Sequence, residues 1–200
     1  MSTAVLFDPG RKTRPTDEEL LAPVVEVRYE IVNGQRVEIP PMSIRAGTVA
    51  TRLTTKLNEF ADPKGLGEAF TEVLIQAPVP EDEGRNRRPD AFFVCYPKSK
   101  EVSPEDPDVN AWAVVPDLAV EVTSPTDRAE DQREKVVEYL NLGVRCVWVV
   151  YPRLGLVDVY EPGAPARTFG PGGVLPGDPV LPGLEIALAD LFRPIGAPSR

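Results

Sequence analysis

Two carboxylates set into apolar runs, with a lysine on the helix that follows, are the residues of this chain best suited to chemistry. Asp90 opens the run Asp90-Ala91-Phe92-Phe93-Val94-Cys95, Glu121 interrupts Leu118-Ala119-Val120-Glu121-Val122, and Lys135 ends Asp131-Gln132-Arg133-Glu134-Lys135. A carboxylate inside a buried strand is costly unless a cation or hydrogen-bond donors compensate it. Two neighbouring acids suit a hard divalent cation held by oxygen, and the backbone carbonyl of Val122 can add a ligand. A lysine near the metal-bound water can orient it and stabilise a charged transition state. These are the minimal parts for metal-dependent cleavage of a phosphodiester. The competing reading of Lys135 is a surface lysine paired with Asp131 one turn earlier.

Composition narrows the alternatives. The 200 residues contain no histidine, which removes Ser-His-Asp and Cys-His catalysis and histidine-ligated zinc. The two cysteines, Cys95 and Cys146, lie in separate apolar runs without a Cys-x-x-Cys spacing, so they read as reduced core thiols rather than a zinc site. A metal here is therefore Mg²⁺, Mn²⁺ or Ca²⁺. With 22 basic and 31 acidic residues the net charge is −9, which argues against a general nucleic-acid coat protein but not against a nuclease with a local basic cleft. Arg85, Arg87 and Arg88 form one candidate basic patch; the alternative is a solvated loop balancing Glu81-Asp82-Glu83.

The length fits one domain over 17–194 behind a loose arm at 1–16. No run approaches the roughly 18 apolar residues of a membrane span, and Met1–Phe7 lacks a signal-peptide pattern, so a cytoplasmic location is expected.

The elements that must position the acids follow from periodicity. Thr16 can cap a short helix over Asp17–Leu21, and Asn33-Gly34 predicts a hairpin between Val24–Val32 and Gln35–Ile39. Val49, Leu53, Leu57 and Phe60 form the apolar stripe of a helix over 45–60. Strands are expected at Ala69–Ile75, Asp90–Tyr96, Leu118–Thr123, Val144–Tyr151 and Leu156–Tyr160, with long loops over 77–88 and 97–115. A helix from Asp127, boxed with Glu130, to a Gly143 cap joins the third and fourth of these strands as a parallel βαβ step. Leu188–Phe192 reads as a final helical turn. The fold class is a mixed α/β arrangement: a central mixed sheet flanked by helices, with an N-terminal hairpin.

Arg88-Pro89-Asp90 and Pro116-Asp117-Leu118-Ala119-Val120-Glu121-Val122 with Ser124-Pro125 also resemble the Uma-two family of candidate restriction endonucleases. Asp131, Lys135, Tyr139, Gly143-Val144, Trp148 and Pro152 match its next segment in order, and Tyr29–Gly34 matches its hairpin. The resemblance spans about 17–190 and implies the restriction-endonuclease-like fold of the PD-(D/E)XK superfamily with Mg²⁺-dependent cleavage of DNA. It makes Asp90 the first acid and Glu121 the second. The superfamily's lysine two residues after the second acid is replaced by Thr123, and Lys135 takes its part from the helix. Glu30 and Glu38 are the candidates for an accessory acid, and Arg45, Arg87 and Arg88 for DNA contacts. The chain departs from the family at Arg45, Gln35 and Tyr151-Pro152, where a histidine and two acids are usual. A double-strand cut needs two sites, which suits a homodimer. The alternatives are a nuclease-fold binding or scaffold module with little or no activity, and a metal-dependent enzyme acting on another phosphodiester such as RNA.

Overall fold

The computed structural model describes residues 28–96, 111–125 and 127–197. The arm at 1–16, the short helix over Asp17–Leu21 and most of the 97–115 loop lie outside the described residues.

Strands β1 (Tyr29–Val32) and β2 (Gln35–Glu38) form the expected hairpin. Asn33 and Gly34 both take positive φ, 53° and 67°, as a tight two-residue turn with the twist of the flanking strands requires. Helix α1 (Ile44–Ala61) starts where the Ser43 Oγ accepts from the Ala46 N–H, and it buries Val49, Leu53 and Leu57 along one face. Next come β3 (Gly67–Thr71), β4 (Ile75–Gln76), β5 (Asn86–Arg87), β6 (Ala91–Cys95) and β7 (Leu118–Val122). Helix α2 (Ala129–Leu142) leads into β8 (Cys146–Tyr151), β9 (Leu156–Tyr160) and β10 (Arg167–Phe169). The described chain closes with β11 (Val174–Pro176), β12 (Glu185–Ala187) and the short α3 (Leu188–Leu191).

Six strands make the central sheet, in the order β10-β9-β8-β7-β6-β3. It is mixed: β7 and β8 run parallel across α2, as the βαβ reading required, and the other pairs are antiparallel. The hairpin belongs to a second sheet, β2-β1-β5-β4.

Strand alternation splits the core in two. Phe93, Leu118, Val120 and Trp148 face α1, while Phe92, Ala119, Val147 and Val149 face α2 through Val136 and Tyr139. The same alternation puts Glu121 on the α2 side, with Ala119.

Three expectations need correction. The strand over Ala69–Ile75 is two strands in different sheets, because Glu72 turns to a positive φ of 61° and Ile75 pairs instead with Arg87. Helix α2 begins at Ala129 rather than Asp127. The Asp127 carboxylate accepts from the Ser124 N–H and Oγ, which folds the loop back instead of capping the helix. Cys146 is buried, its thiol pushed up to about 12 by burial, but Cys95 at the end of β6 is only half-buried; neither is in a disulfide.

Candidate active site

The register of β6 against β7 brings the acids together. Ala91 pairs with Val120, so one step further along the antiparallel ladder Asp90 stands opposite Glu121, on the same face. The Asp90 Oδ2 accepts from the Val122 N–H at 2.6 Å, which continues the ladder through a side chain. Both acids line one small cavity of about 100 Å³, walled also by Lys135, Arg28, Arg88 and the Pro40-Pro41 segment that leaves the hairpin.

Helix α2 supplies two groups from successive turns of one face. The Lys135 Nζ lies 3.3 Å from the Glu121 Oε2 and 3.0 Å from the Glu30 Oε1. It therefore reaches the acids across the helix–sheet interface rather than Asp131. Four residues on, the buried Tyr139 hydroxyl donates to the Glu121 Oε1 at 2.8 Å. Each Glu121 oxygen thus has its own donor.

The hairpin adds Glu30 from the opposite side, and its neighbours fix it there. The Arg87 guanidinium donates to the Glu30 Oε2 at 2.7 Å and holds both oxygens of Glu138 at 2.7 and 2.8 Å. The Arg88 N–H reaches the Glu30 Oε1 at 3.2 Å. Arg85 joins Glu138 to Asp82 and to the Asn33 side chain. This ion-pair chain ties the hairpin, the 77–88 loop and α2 together around the lysine.

Charge is unevenly compensated. Burial raises the Glu30 proton affinity, but the Lys135 and Arg87 charges outweigh it and hold this carboxyl below its usual range. Burial pushes the Glu121 carboxyl up, against the opposing Lys135 ammonium. Asp90 is the outlier: burial first, then the Glu121 charge, push its carboxyl up to about 8. Among the described residues the nearest cation to the Asp90 Oδ1 is the Arg28 guanidinium at 3.9 Å, and Arg28 is itself paired with Glu72.

Among the described residues no three of His, Cys, Asp and Glu are grouped as a ready metal cage. The donor chemistry nevertheless fits a hard cation: two facing carboxylates, one of them with only the distant, Glu72-paired Arg28 as an ion-pair partner among the described residues, and oxygen ligands at hand.

The other expected residues divide. Glu30 is in the cluster; Glu38 is exposed on the edge strand β2 and does not line the cavity. Arg45 is exposed on the first turn of α1, beside a separate cavity with Arg52 and Arg193. The basic patch is not a surface patch. Arg85 and Arg87 are 8% and 7% exposed and consumed by Glu138, Glu30 and Asp82, so a phosphate cannot reach Arg87 without breaking the network. Arg88 lines the acid cavity and donates to the Glu72 carbonyl.

Arg28, Glu72, Glu138 and Tyr139 also belong to the cluster, although no motif in the sequence assigns them a role. Tyr139 carried a usable signal, lying one turn after Lys135 on the same helix face. The positive φ of Glu72 has no counterpart in its residue type.

No curated protein matches the chain. Among solved structures, a crystal structure of a "putative nuclease belonging to DUF820" from Anabaena variabilis matches with a TM-score of 0.70 at 20% identity, covering 88% of this chain and 96% of that one. That likeness establishes the shared fold. The family Uma2, described as "Putative restriction endonuclease", matches residues 18–189. The span takes in the hairpin, both acids and the lysine helix, and the chain belongs to this nuclease family.

Proposed function

We propose that this chain hydrolyses phosphodiester bonds of DNA with a divalent cation, Mg²⁺ or Mn²⁺, held by Asp90, Glu121 and the Val122 carbonyl. The observation that carries the reading is Asp90: a largely buried carboxyl facing a second carboxyl, pushed up to about 8, with no cation of the described residues closer than 3.9 Å. Such a group is unfavourable as an anion in the fold alone and favourable beside a metal.

The cation when bound would neutralise charge on the scissile phosphate and acidify a water. The chain's own groups do the rest. Tyr139 and Lys135 orient the two oxygens of Glu121. Glu30, clamped by Arg87, keeps the Lys135 ammonium charged and aimed at the cavity, where it stabilises charge building on the phosphate. Glu30 acts on the lysine rather than on the metal, because it does not line the cavity that Asp90 and Glu121 share and reaches it only through Lys135. Arg88 at the cavity wall and Arg45 on α1 are the remaining candidates for phosphate contacts. A double-strand cut with one such site per chain calls for two copies.

The test is Lys135→Ala in metal-dependent hydrolysis of a labelled DNA duplex. Turnover falls by about 10²-fold or more, the scale of a lost transition-state donor, while Mn²⁺ still binds. Unchanged turnover overturns the role of Lys135. A second reading, a nuclease-fold binding module without turnover, is favoured by the closure of Lys135 between Glu30 and Glu121. It predicts DNA binding with no cleavage in any divalent metal.

A further inference from the structure

Beside the acid cavity lies a larger one of about 490 Å³, between the first turns of α2 and strands β8 and β9. It sits where the carboxyl ends of the parallel strands β7 and β8 open, the place where α/β sheets characteristically receive ligands. Ser124, Asp127 and Gln132 line both cavities, so the two share one rim.

Its walls are chemically distinctive. Val136 and Val149 give an apolar floor, and the Tyr151 and Tyr160 rings stand at the side. Burial, with Asp158 and Tyr160 close by, pushes the Tyr151 hydroxyl up to about 12. The Arg133 guanidinium lies 5.0 Å from the centre of the Tyr160 ring. The Gln132 side chain spans the rim; its Nε2 reaches Asp127 at 3.3 Å, and its Oε1 is buried without a hydrogen-bond partner. A buried carbonyl oxygen left in this way is an acceptor awaiting a donor.

We propose that this second cavity is a nucleobase subsite, holding an unstacked base of the nucleotide next to the scissile phosphate. The inference rests on the phosphodiesterase reading above and deepens it by naming the form of the substrate. A flat neutral ring with N–H donors matches aromatic walls, an apolar floor and the unpartnered Gln132 oxygen at the rim. The shared rim makes the occupant contiguous with whatever sits over Asp90 and Glu121. A base inside an intact duplex cannot enter such a pocket, so the preferred substrate is single-stranded or locally unpaired at the cut.

The experiment uses a labelled single-stranded oligodeoxynucleotide in Mn²⁺, with an abasic residue placed at each position in turn. It is cut by the full-length wild type and by Ala129→Trp. Ala129 is an exposed residue that lines this cavity and not the acid one, and a tryptophan there fills the space. In the wild type, kcat/KM falls about tenfold or more when the abasic residue flanks the cut, as for a lost stacked base. Ala129→Trp cuts the intact strand about tenfold more slowly and ignores that abasic residue. Tyr160→Leu, which removes the stacking ring but keeps an apolar wall, behaves likewise and serves if the tryptophan variant does not fold. Variants that discriminate as the wild type does overturn the subsite, as does a wild type indifferent to every abasic position. Cleavage of duplex but not of single strand overturns the subsite alone. Absence of cleavage on either substrate overturns the phosphodiesterase reading and the subsite with it.

Discussion

Replacing Asp90 by Asn should stabilise the metal-free protein while abolishing cleavage. The Asp90 side chain is 15% exposed, and folding raises its carboxyl from the ordinary 3.8 to about 8. The folded chain therefore holds a proton that the unfolded chain releases between those values. Stability from this group is complete below pH 4 and is lost as pH rises toward 8. Each pH step in that window costs about 1.4 kcal/mol, so the upper bound at pH 7 is roughly 4 kcal/mol. Rearrangement around Arg28 and Glu121 reduces this, and about 2 kcal/mol is the expected gain. Glu121 is raised in the same direction and keeps part of the slope in the variant. The introduced asparagine retains an acceptor for the Val122 N–H, so the ladder contact survives the change. Urea unfolding in EDTA, followed by the buried Trp112 and Trp148, measures the difference from pH 5 to 8. Asp90→Asn should overtake the wild type progressively as pH rises, and Mg²⁺ should reverse the order by stabilising the wild type alone. Stability curves that run parallel across this range would refute the reasoning.

Four further outcomes are expected. Tyr139→Phe leaves a buried Glu121 oxygen without its donor, costing about 1–3 kcal/mol, and moves the metal-binding pH profile upward because the Glu121 acid form gains; titration of Mn²⁺ against pH reads it. Glu138→Ala takes one of two acid partners from each of the buried Arg85 and Arg87, which keep Asp82 and Glu30, and costs about 1–3 kcal/mol in denaturant unfolding, against which Arg45→Ala, at an exposed site, stays within about 0.5 kcal/mol. Glu30→Gln removes one carboxylate from the Lys135 ammonium and lowers turnover more than it lowers Mn²⁺ affinity, separating a lysine-positioning role from a metal ligand. Thiol reagents label the half-buried Cys95 before Cys146, whose thiol is pushed up to about 12 by burial.

The acids and the lysine were legible in the sequence because each breaks a pattern. Glu121 is a charge inside an apolar strand, and Lys135 lies on the inward face of the helix that the βαβ step folds over that strand. The hairpin was legible because Asn33-Gly34 permits few other backbones. The fate of the arginines was not. Arg85 and Arg87 look solvated beside Glu81-Asp82-Glu83, and only the fold brings Glu30 and Glu138, from distant segments, to neutralise them. Long-range ion pairing has no periodicity in the chain. The start of α2 was misplaced for a local reason, since Asp127 has a capping residue's chemistry and uses it on Ser124 instead.

The central claim is that Asp90, Glu121 and Lys135 form one metal-dependent phosphodiesterase site. Conversion of supercoiled plasmid DNA to nicked or linear product, with the wild type and Asp90→Ala side by side in Mg²⁺ and in EDTA, tests it most directly. The account predicts product only from the wild type with Mg²⁺. Equal cleavage by Asp90→Ala, or cleavage that persists in EDTA, would contradict it.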